Sequence, residues 1–345
     1  MEKREELILN LLQQSSGLSS TQLYEAVSAH MSLATLKRAL EKLETEKLIT
    51  RSGKGKATRY TVSPLFTLLK PINIQAYFAN EIDARHSKTQ YNFDLLLETL
   101  PTQTLFTKSE LQYLQELQTT YLQKCAQLST TALAKELERL AIDLSWKSSQ
   151  IEGNTYSLLE TELLLKEKQT ASGKTKEEAV MLLNHKEALD FIIQHPDFVD
   201  PLSVSNISQI HSLLVHEMGI GKNIRKSRVG ITGTNYKPLD NEHQLLEALQ
   251  QLCVVVNNKE NVFEKALITL VFLSYIQAFE DGNKRTARIV SNALLLHYKH
   301  CPLSFRTVDP IYYKQAMLLF YEQNNISAIK QIFISQYAFA VETYF

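Results

Sequence analysis

The spacing of hydrophobic and polar positions predicts a mostly α-helical chain. Apolar residues recur every three or four positions along most of the sequence, the interval at which they share one helix face. Only two short runs, 48–51 and 58–62, are β-like, and a Gly-Lys-Gly-Lys turn separates them. These two runs predict a β-hairpin. The low content of 10 Gly and 8 Pro among 345 residues also favours helix.

Residues 1–64 contain three predicted helices followed by this hairpin. The first helix covers residues 2–14, and the second begins after Ser19 or Ser20, either of which is a suitable N-cap. The third carries apolar residues on the side expected to be buried. These are Leu33, Leu36, Leu40, Leu43 and Leu48.

Three helices and a basic hairpin resemble a winged helix-turn-helix domain. Such domains insert one helix into the major groove of DNA and contact the phosphates with the wing. Two other interpretations stay open, because glutamates share the third helix and its charges could be a solvated face, and because winged helices also serve as protein-docking or dimerisation modules. The candidate DNA-binding residues are Lys37, Arg38 and Lys42 on the helix and Arg51, Lys54, Lys56 and Arg59 on the wing.

Length and composition indicate a two-domain globular protein. With 44% hydrophobic and 21% charged residues, the chain has an ordinary globular composition, and its length suits two domains. We predict a winged helix over 1–64, a helical connector over 65–130 and a second domain over 131–345. The net charge of +0 gives no global signal for nucleic acid or membrane. Three scattered cysteines, no signal peptide and no run of about 20 apolar residues predict a cytoplasmic protein without a membrane anchor.

The segment from Ile276 to Val290, IQAFEDGNKRTARIV, has the features of a phosphate site. Within this segment a tight loop follows the end of a strongly apolar helix, and a second helix begins where the loop ends. Backbone N–H groups of such a loop and helix N-terminus bind anions. Arg285 and Arg288 share a helix face, and Asp281 or Glu280 could hold Mg²⁺ against phosphate oxygens. The alternative is ordinary turn chemistry with surface arginines.

The same segment resembles the signature of the Fic family. That pattern is His, any residue, Phe, any residue, Asp/Glu, Gly, Asn, Gly/Lys, Arg, two residues, Arg. This chain departs from it only at Gln277, which replaces the histidine. An upstream stretch, SSQIEGN, is similar to the family's inhibitory-helix motif, and the resemblance runs over about residues 145–337. The matching residues are Phe279, Asp281, Gly282, Asn283, Lys284, Arg285 and Arg288 in the signature and Ser148, Glu152, Gly153 and Asn154 in the inhibitory motif.

The resemblance implies a Fic-fold helical core with a small β-hairpin flap, binding ATP and Mg²⁺ and transferring AMP to a hydroxyl of a target protein. It implies that Asp281 holds Mg²⁺, that Gly282, Asn283 and Lys284 present donors to the phosphates, and that Arg285 and Arg288 bind them. Glu152 would pair with Arg288 and inhibit, and a homodimer is expected. The implied target flap consists of Val229, Gly230, Ile231, Thr232 and Gly233. Lys284 also occurs in the Doc branch, which phosphorylates its target, so AMP and phosphate transfer both stay open.

Gln277 decides which function to expect. A neutral imidazole can accept the proton of an attacking hydroxyl near pH 7, whereas a glutamine amide has no usable basicity. Nucleotide binding needs no such base, so we expect ATP–Mg²⁺ binding with weak or absent transfer. Two alternatives stay open: a nucleotide-responsive DNA-binding regulator, and a fully active enzyme with another base. The remaining candidate histidines are expected to be structural; they are His185, His211, His216, His297 and His300.

Overall fold

The computed structural model describes residues 3–15 and 17–345. The chain forms two compact units. The smaller unit comprises the chain up to Pro71 together with Gln323–Asn325, and the larger comprises Ile72–Glu322 and Ile326–Phe345.

The smaller unit contains the predicted helices and hairpin. Ser19 caps the second helix in a reciprocal capping box with Gln22, and Ser32 caps the third. Leucines of all three helices form one core with Ile49 and Phe66, although Leu33 is exposed. The two strands pair antiparallel, and Leu18 bridges to Tyr60. The elements are α1 (Lys3–Gln14), α2 (Ser20–Val27), α3 (Leu33–Thr45), β1 (Ile49–Ser52), β2 (Arg59–Val62) and α4 (Pro64–Leu69).

The larger unit is helical and is built around one apolar helix, Val262–Ile276. Every residue of this helix after Val262 is buried, as its almost unbroken apolar sequence requires. None of the helices in the described ranges is long and apolar enough to span a membrane. The helices are α5 (Ile74–Phe78), α6 (Leu100–Thr102), α7 (Lys108–Gln127), α8 (Thr130–Ile151), α9 (Leu158–Glu167), α10 (Lys176–Gln194), α11 (Val204–Leu214), α12 (Glu242–Asn258), α13 (Val262–Ile276), α14 (Asn283–His297), α15 (Pro310–Gln323) and α16 (Ser327–Tyr344).

The predicted fold class is confirmed at the level of a mostly helical chain with one small antiparallel sheet. The β-hairpin expected at the target flap is corrected, because residues 226–238, which we call the flap loop, contain no strand. The guanidinium of Arg225 lies between the two arms and donates to the carbonyls of Ser227 and Leu239, the first at 2.7 Å. A side chain thus joins the arms where a hairpin would use backbone hydrogen bonds.

Candidate functional site

A cavity of about 410 Å³ in the larger unit brings together most of the predicted site residues. It lies where the α13–α14 loop meets the end of α8, the flap loop and one face of α15. The α15 residues were not predicted as site residues, although their spacing of about four places them on one helix face. The lining is Glu152, Val229, Gly230, Ile231, Thr232, Gln277, Glu280, Asp281, Gly282, Asn283, Lys284, Arg285, Tyr313, Lys314, Met317, Leu318 and Tyr321.

The floor of the cavity is the tight loop between α13 and α14. Gln277 ends α13 in the left-handed conformation, and Gly282, at φ +80°, precedes the first residue of α14. A Cβ at position 282 would lie 3.2 Å from a methyl of Val215, so both the backbone and the space favour glycine there. The first N–H groups of a helix have no partner within it. Those of α14 therefore form an anion site at the cavity floor.

Asn283 holds this loop together with its side chain. The side-chain oxygen accepts a 2.9 Å hydrogen bond from the Phe279 N–H, and the side-chain amide donates to the Phe279 carbonyl at 2.8 Å. The same amide also donates to Gln277 Oε1 at 3.3 Å. Because these bonds occupy both ends of the buried amide, Asn283 would bind phosphate through its backbone N–H.

Gln277 is also engaged on both sides of its amide. Nε2 donates to the Ser274 carbonyl at 2.6 Å, while Oε1 accepts the bond from Asn283. The side chain is 8% exposed and lines the cavity. A carboxamide supplies no basic nitrogen, and its neutral oxygen can accept a hydrogen bond without taking up a proton near pH 7.

His211 supports the loop from beneath. Its ring stacks on Phe279 with centroids 3.8 Å apart, and its Nε2 lies 2.9 Å from the Asp281 carbonyl oxygen. Burial lowers the pKa of His211, although the contact with the Asp281 carbonyl opposes this shift. The neutral ring can donate its Nε2 proton to that carbonyl. Sequence reasoning assigned His211 a structural role without identifying this contact.

Glu152 closes the inner end of the site against Arg288. Its Oε1 accepts a 2.7 Å hydrogen bond from Arg288 Nη2, and its Oε2 lies 3.6 Å from Lys284 Nζ. Arg288 also donates from Nε to Ser148 Oγ at 2.8 Å. Burial alone would raise the pKa of Glu152, but the charges of Arg288 and Lys284 outweigh it and hold that pKa below its usual value. The carboxylate is therefore ionised at neutral pH.

The turn after α8 fixes where Glu152 points. Gly153 adopts φ +104°, and Asn154 donates from its side chain to the Glu178 carbonyl at 2.9 Å. The Glu178 carboxylate accepts hydrogen bonds from both the hydroxyl and the N–H of Thr155, at 2.6 and 2.8 Å. These bonds, led by the hydroxyl, lower the pKa of Glu178 to about 2. Sequence reasoning missed Glu178, which the capping pattern at the start of α10 could have singled out.

Arg285 and Asp281 form the outer half of the anion site. Arg285 is buried and donates from Nη1 to the Leu214 carbonyl at 3.1 Å, while its Nη2 lies 3.5 Å from Asp281 Oδ2. The Asp281 carboxylate is 66% exposed, and the neighbouring Glu280 also lines the cavity. No group of three or more metal-ligating side chains occurs in the described part of the chain. A cation here would therefore share a carboxylate with ligand oxygens, the arrangement typical of Mg²⁺ on phosphates.

The other candidate histidines lie outside this cavity, which no histidine of the described ranges lines. His185 is buried in α10, and both its ring nitrogens lack a hydrogen-bond partner. His297 contacts Asp197 and Asp200, at 3.1 and 3.3 Å. His216 is exposed beside Glu217, and His300 Nδ1 lies 2.8 Å from the Tyr298 carbonyl.

The candidate DNA-binding residues are all exposed on the smaller unit. Lys42 forms a 2.6 Å ion pair with Glu5, and Arg51 lies 3.6 Å from Glu44. Arg59 donates to backbone carbonyls of its own hairpin. The remaining basic residues of the set are Lys37, Arg38, Lys54 and Lys56.

Comparison with known families and structures supports the resemblance found in the sequence. Residues 201–295 match the family model described as the Fic/DOC family. A solved structure of Fic-1 from C. elegans aligns with a TM-score of 0.57 at 18% identity, covering 73% of this chain and 76% of that one. A Fic family protein from Desulfovibrio desulfuricans G20 aligns with a TM-score of 0.58 at 17% identity, covering 69% and 74%. The larger unit therefore has a Fic-type fold.

Curated relatives match about half of this chain. "Protein adenylyltransferase Fic" from Nematostella vectensis is 28% identical over 172 residues, which is 48% of this chain and 39% of the relative. The protein of the same name from Aedes aegypti is 28% identical over 182 residues, 50% of this chain and 35% of the relative. The matched region spans well under half the length of these relatives.

Proposed function

We propose that this protein binds ATP–Mg²⁺ in the cavity and is a protein adenylyltransferase of the Fic type whose AMP transfer is weak or absent. We further propose that Glu152 holds the site in an inhibited state. The observation that carries the proposal is the Arg288–Glu152 pair at the inner end of an anion site. Similarity to proteins named as adenylyltransferases supports the reaction class.

The residues of the site fit a nucleoside triphosphate with Mg²⁺. Open N–H groups at the start of α14, with Lys284 and Arg285, supply donors and positive charge for phosphates. The Asp281 carboxylate is exposed at the rim and suits Mg²⁺, which would neutralise phosphate charge when bound with ATP. Arg288 would bind the terminal phosphate only after Glu152 leaves it.

Gln277 explains why transfer should be weak. A target hydroxyl must lose its proton as its oxygen attacks the α-phosphorus of ATP and pyrophosphate leaves, and Gln277 has no basic atom to accept that proton. Loss of a general base typically lowers the rate by about 10²–10⁴. The hydrogen bonds of Gln277 to Ser274 and Asn283 keep the loop in shape, so binding should survive the change.

The test measures binding and transfer separately. Calorimetry with ATP–Mg²⁺ would compare the unmodified protein with Glu152→Gly, Gln277→His and the double variant, and labelled ATP with host lysate would report transfer. We expect tighter ATP binding in Glu152→Gly and labelling only in the double variant. Glu217→Gly, which removes an exposed glutamate outside the cavity, is the matched control.

Two results would count against the proposal. If Glu152→Gly labels a target with Gln277 in place, the protein has another base and is a working transferase. If Glu152→Gly binds ATP no better than Glu217→Gly does, Glu152 is not an inhibitor.

A second proposed function is DNA binding by the smaller unit, which would make the protein a nucleotide-responsive regulator. The supporting observation is the exposed basic hairpin, whose Lys54 and Lys56 lie at its turn. Positive side chains on an exposed hairpin suit contacts with DNA phosphates.

A further inference from the structure

The flap loop is tied to a segment that precedes it by about 150 residues. We call residues 82–90 the strap. Arg85 of the strap donates from Nη2 to the Gly233 carbonyl at the tip of the flap loop, at 2.7 Å. Asn235 donates from its side chain to Asp83 Oδ1 at 3.1 Å. Two contacts of different kinds therefore hold the tip of the flap loop against the strap.

A third contact joins the far arm of the flap loop to the strap. The Lys237 N–H donates to the Thr89 carbonyl at 2.9 Å. Backbone pairing of this kind occupies an edge of the arm that an added chain could otherwise use. The near arm, with Gly230 and Ile231, faces the cavity.

Arg85 is itself rigidly held. Its side chain is 5% exposed, and its Nη2 lies 3.2 Å from Oε1 of the fully buried Glu322. Tyr77 donates to the other oxygen of Glu322 at 2.7 Å, and the Arg85 guanidinium lies 4.8 Å from the centre of the Phe78 ring. A buried, paired arginine is a fixed support, unlike a surface side chain that changes rotamer freely.

The flap loop has two anchors besides its contacts with the strap. Arg225 donates from Nε to the Gln277 carbonyl at 2.7 Å, and the buried Tyr236 donates from its hydroxyl to the Tyr275 carbonyl at 3.0 Å. Both anchors attach to the end of α13 beside the cavity. Loss of the Arg85 contact should therefore free the tip of the loop while the side chains of Arg225 and Tyr236 stay anchored to α13.

We propose that Arg85 is a positioning residue for the flap loop, fixing its tip at the height above the cavity at which a target segment is received. The proposal rests on the proposed function for the role of the flap loop in target binding. Arg85 does not line the cavity, so it acts on the target through Gly233 and not on the nucleotide.

Hydrogen exchange tests the contact without requiring activity. Arg85→Ala would leave Glu322 buried without its partner and could prevent folding, so the main variant is the pair Arg85→Met and Glu322→Gln, which removes both charges. We expect amide exchange over residues 230–237, where the Lys237 N–H is bonded to the Thr89 carbonyl of the strap, to become at least tenfold faster, with the ATP–Mg²⁺ dissociation constant within twofold of the unmodified protein. The matched control removes another ion pair of the larger unit with Arg306→Met and Asp143→Asn.

The Arg85→Lys variant distinguishes a role of Arg85 in positioning the flap loop from a general loss of stability. One lysine amine can donate to the Gly233 carbonyl and pair with the Glu322 carboxylate, the two groups that Arg85 Nη2 contacts, and should restore slow exchange. In a Glu152→Gly and Gln277→His background, the charge-removing pair should raise KM for a target at least fivefold and leave KM for ATP unchanged. The control pair should change neither constant.

The outcomes separate the two proposals. Unchanged exchange over residues 230–237, or fast exchange that Arg85→Lys does not slow again, would overturn the positioning role. Faster exchange in a protein that shows no ATP binding would support the positioning role and reject the proposed function.

Discussion

Asn283 shows how one side chain can serve a ligand site without touching the ligand. Its amide spans the α13–α14 loop and pairs with both backbone groups of Phe279. The Fic-type pattern alone suggests that this residue donates to phosphate, but in this structure its side chain is already occupied. Its contribution is to present the N–H groups of the following helix turn.

Asn283→Ala should therefore destabilise the fold as well as weaken ATP binding. The variant leaves the buried N–H and C=O of Phe279 unpaired, and each such group costs about 1–3 kcal/mol. We expect the free energy of unfolding to fall by about 2–6 kcal/mol in urea titrations. Asn241→Ala, which removes only the exposed N-cap of α12, should cost about 1 kcal/mol. Equal losses in the two variants would contradict the role given to Asn283.

His185 should make stability depend on pH. Burial and the nearby charges of Arg288 and Arg285 hold its pKa well below the ordinary value of 6.5. Below pH 6.5 the unfolded chain binds a proton that the folded protein does not, so stability falls as pH falls, by up to about 1.4 kcal/mol per pH unit. His185→Leu should flatten this slope in urea titrations between pH 7.5 and 5.5. His216→Leu, which removes an exposed histidine, is the matched control.

Local elements of the site could be predicted from the sequence, whereas its distant supports could not. The apolar α13, the tight loop and α14 follow from the pattern of neighbouring residues, and Glu152 follows from a short motif. Arg85 and Gly233 are separated by 148 positions, and nothing near either residue indicates the other. The flap loop differed from expectation because a side chain, Arg225, joins its arms.

The turn after α8 allows a prediction about how one helix, α10, supports the end of another. Glu178 of α10 holds Thr155 and, through its carbonyl, Asn154, and so fixes the turn that aims Glu152 at Arg288. Glu178→Gln should loosen this turn and raise ATP affinity several-fold in calorimetry, because Glu152 would compete less well with phosphate.

Glu110→Gln is the matched control for this prediction. Glu110 has the same capping-box position at the start of α7, where it accepts a hydrogen bond from the Thr107 N–H, and its other contacts, with Lys330 and Gln331, lie in α16. The control should leave ATP affinity unchanged. A Glu178→Gln protein that binds ATP as the unmodified protein does would show that the α8 turn holds its place without α10.

At the scale of the whole molecule, each compact unit has its own core and its own candidate ligand. The smaller unit packs three helices against its hairpin and presents basic residues, while the larger unit contains the anion site. The net charge of +0 does not indicate that the two units carry different candidate sites, because the positive charge of the basic hairpin is local. The charge of Lys54 and Lys56 should matter for DNA and not for ATP.

Lys54→Glu with Lys56→Glu in the full-length chain tests this separation. Each phosphate contact contributes about −0.9 to the slope of log K against log salt, so loss of two contacts should make the slope shallower by about 2. Fluorescence anisotropy with operator-region duplexes at several salt concentrations, with and without ATP–Mg²⁺, measures it. The control, Lys135→Glu with Lys176→Glu, makes the same charge change at exposed positions of the larger unit and should leave the slope unchanged. Equal slopes in both double variants would show that the hairpin does not bind DNA. DNA affinity that does not change when ATP–Mg²⁺ is added would contradict nucleotide-responsive regulation.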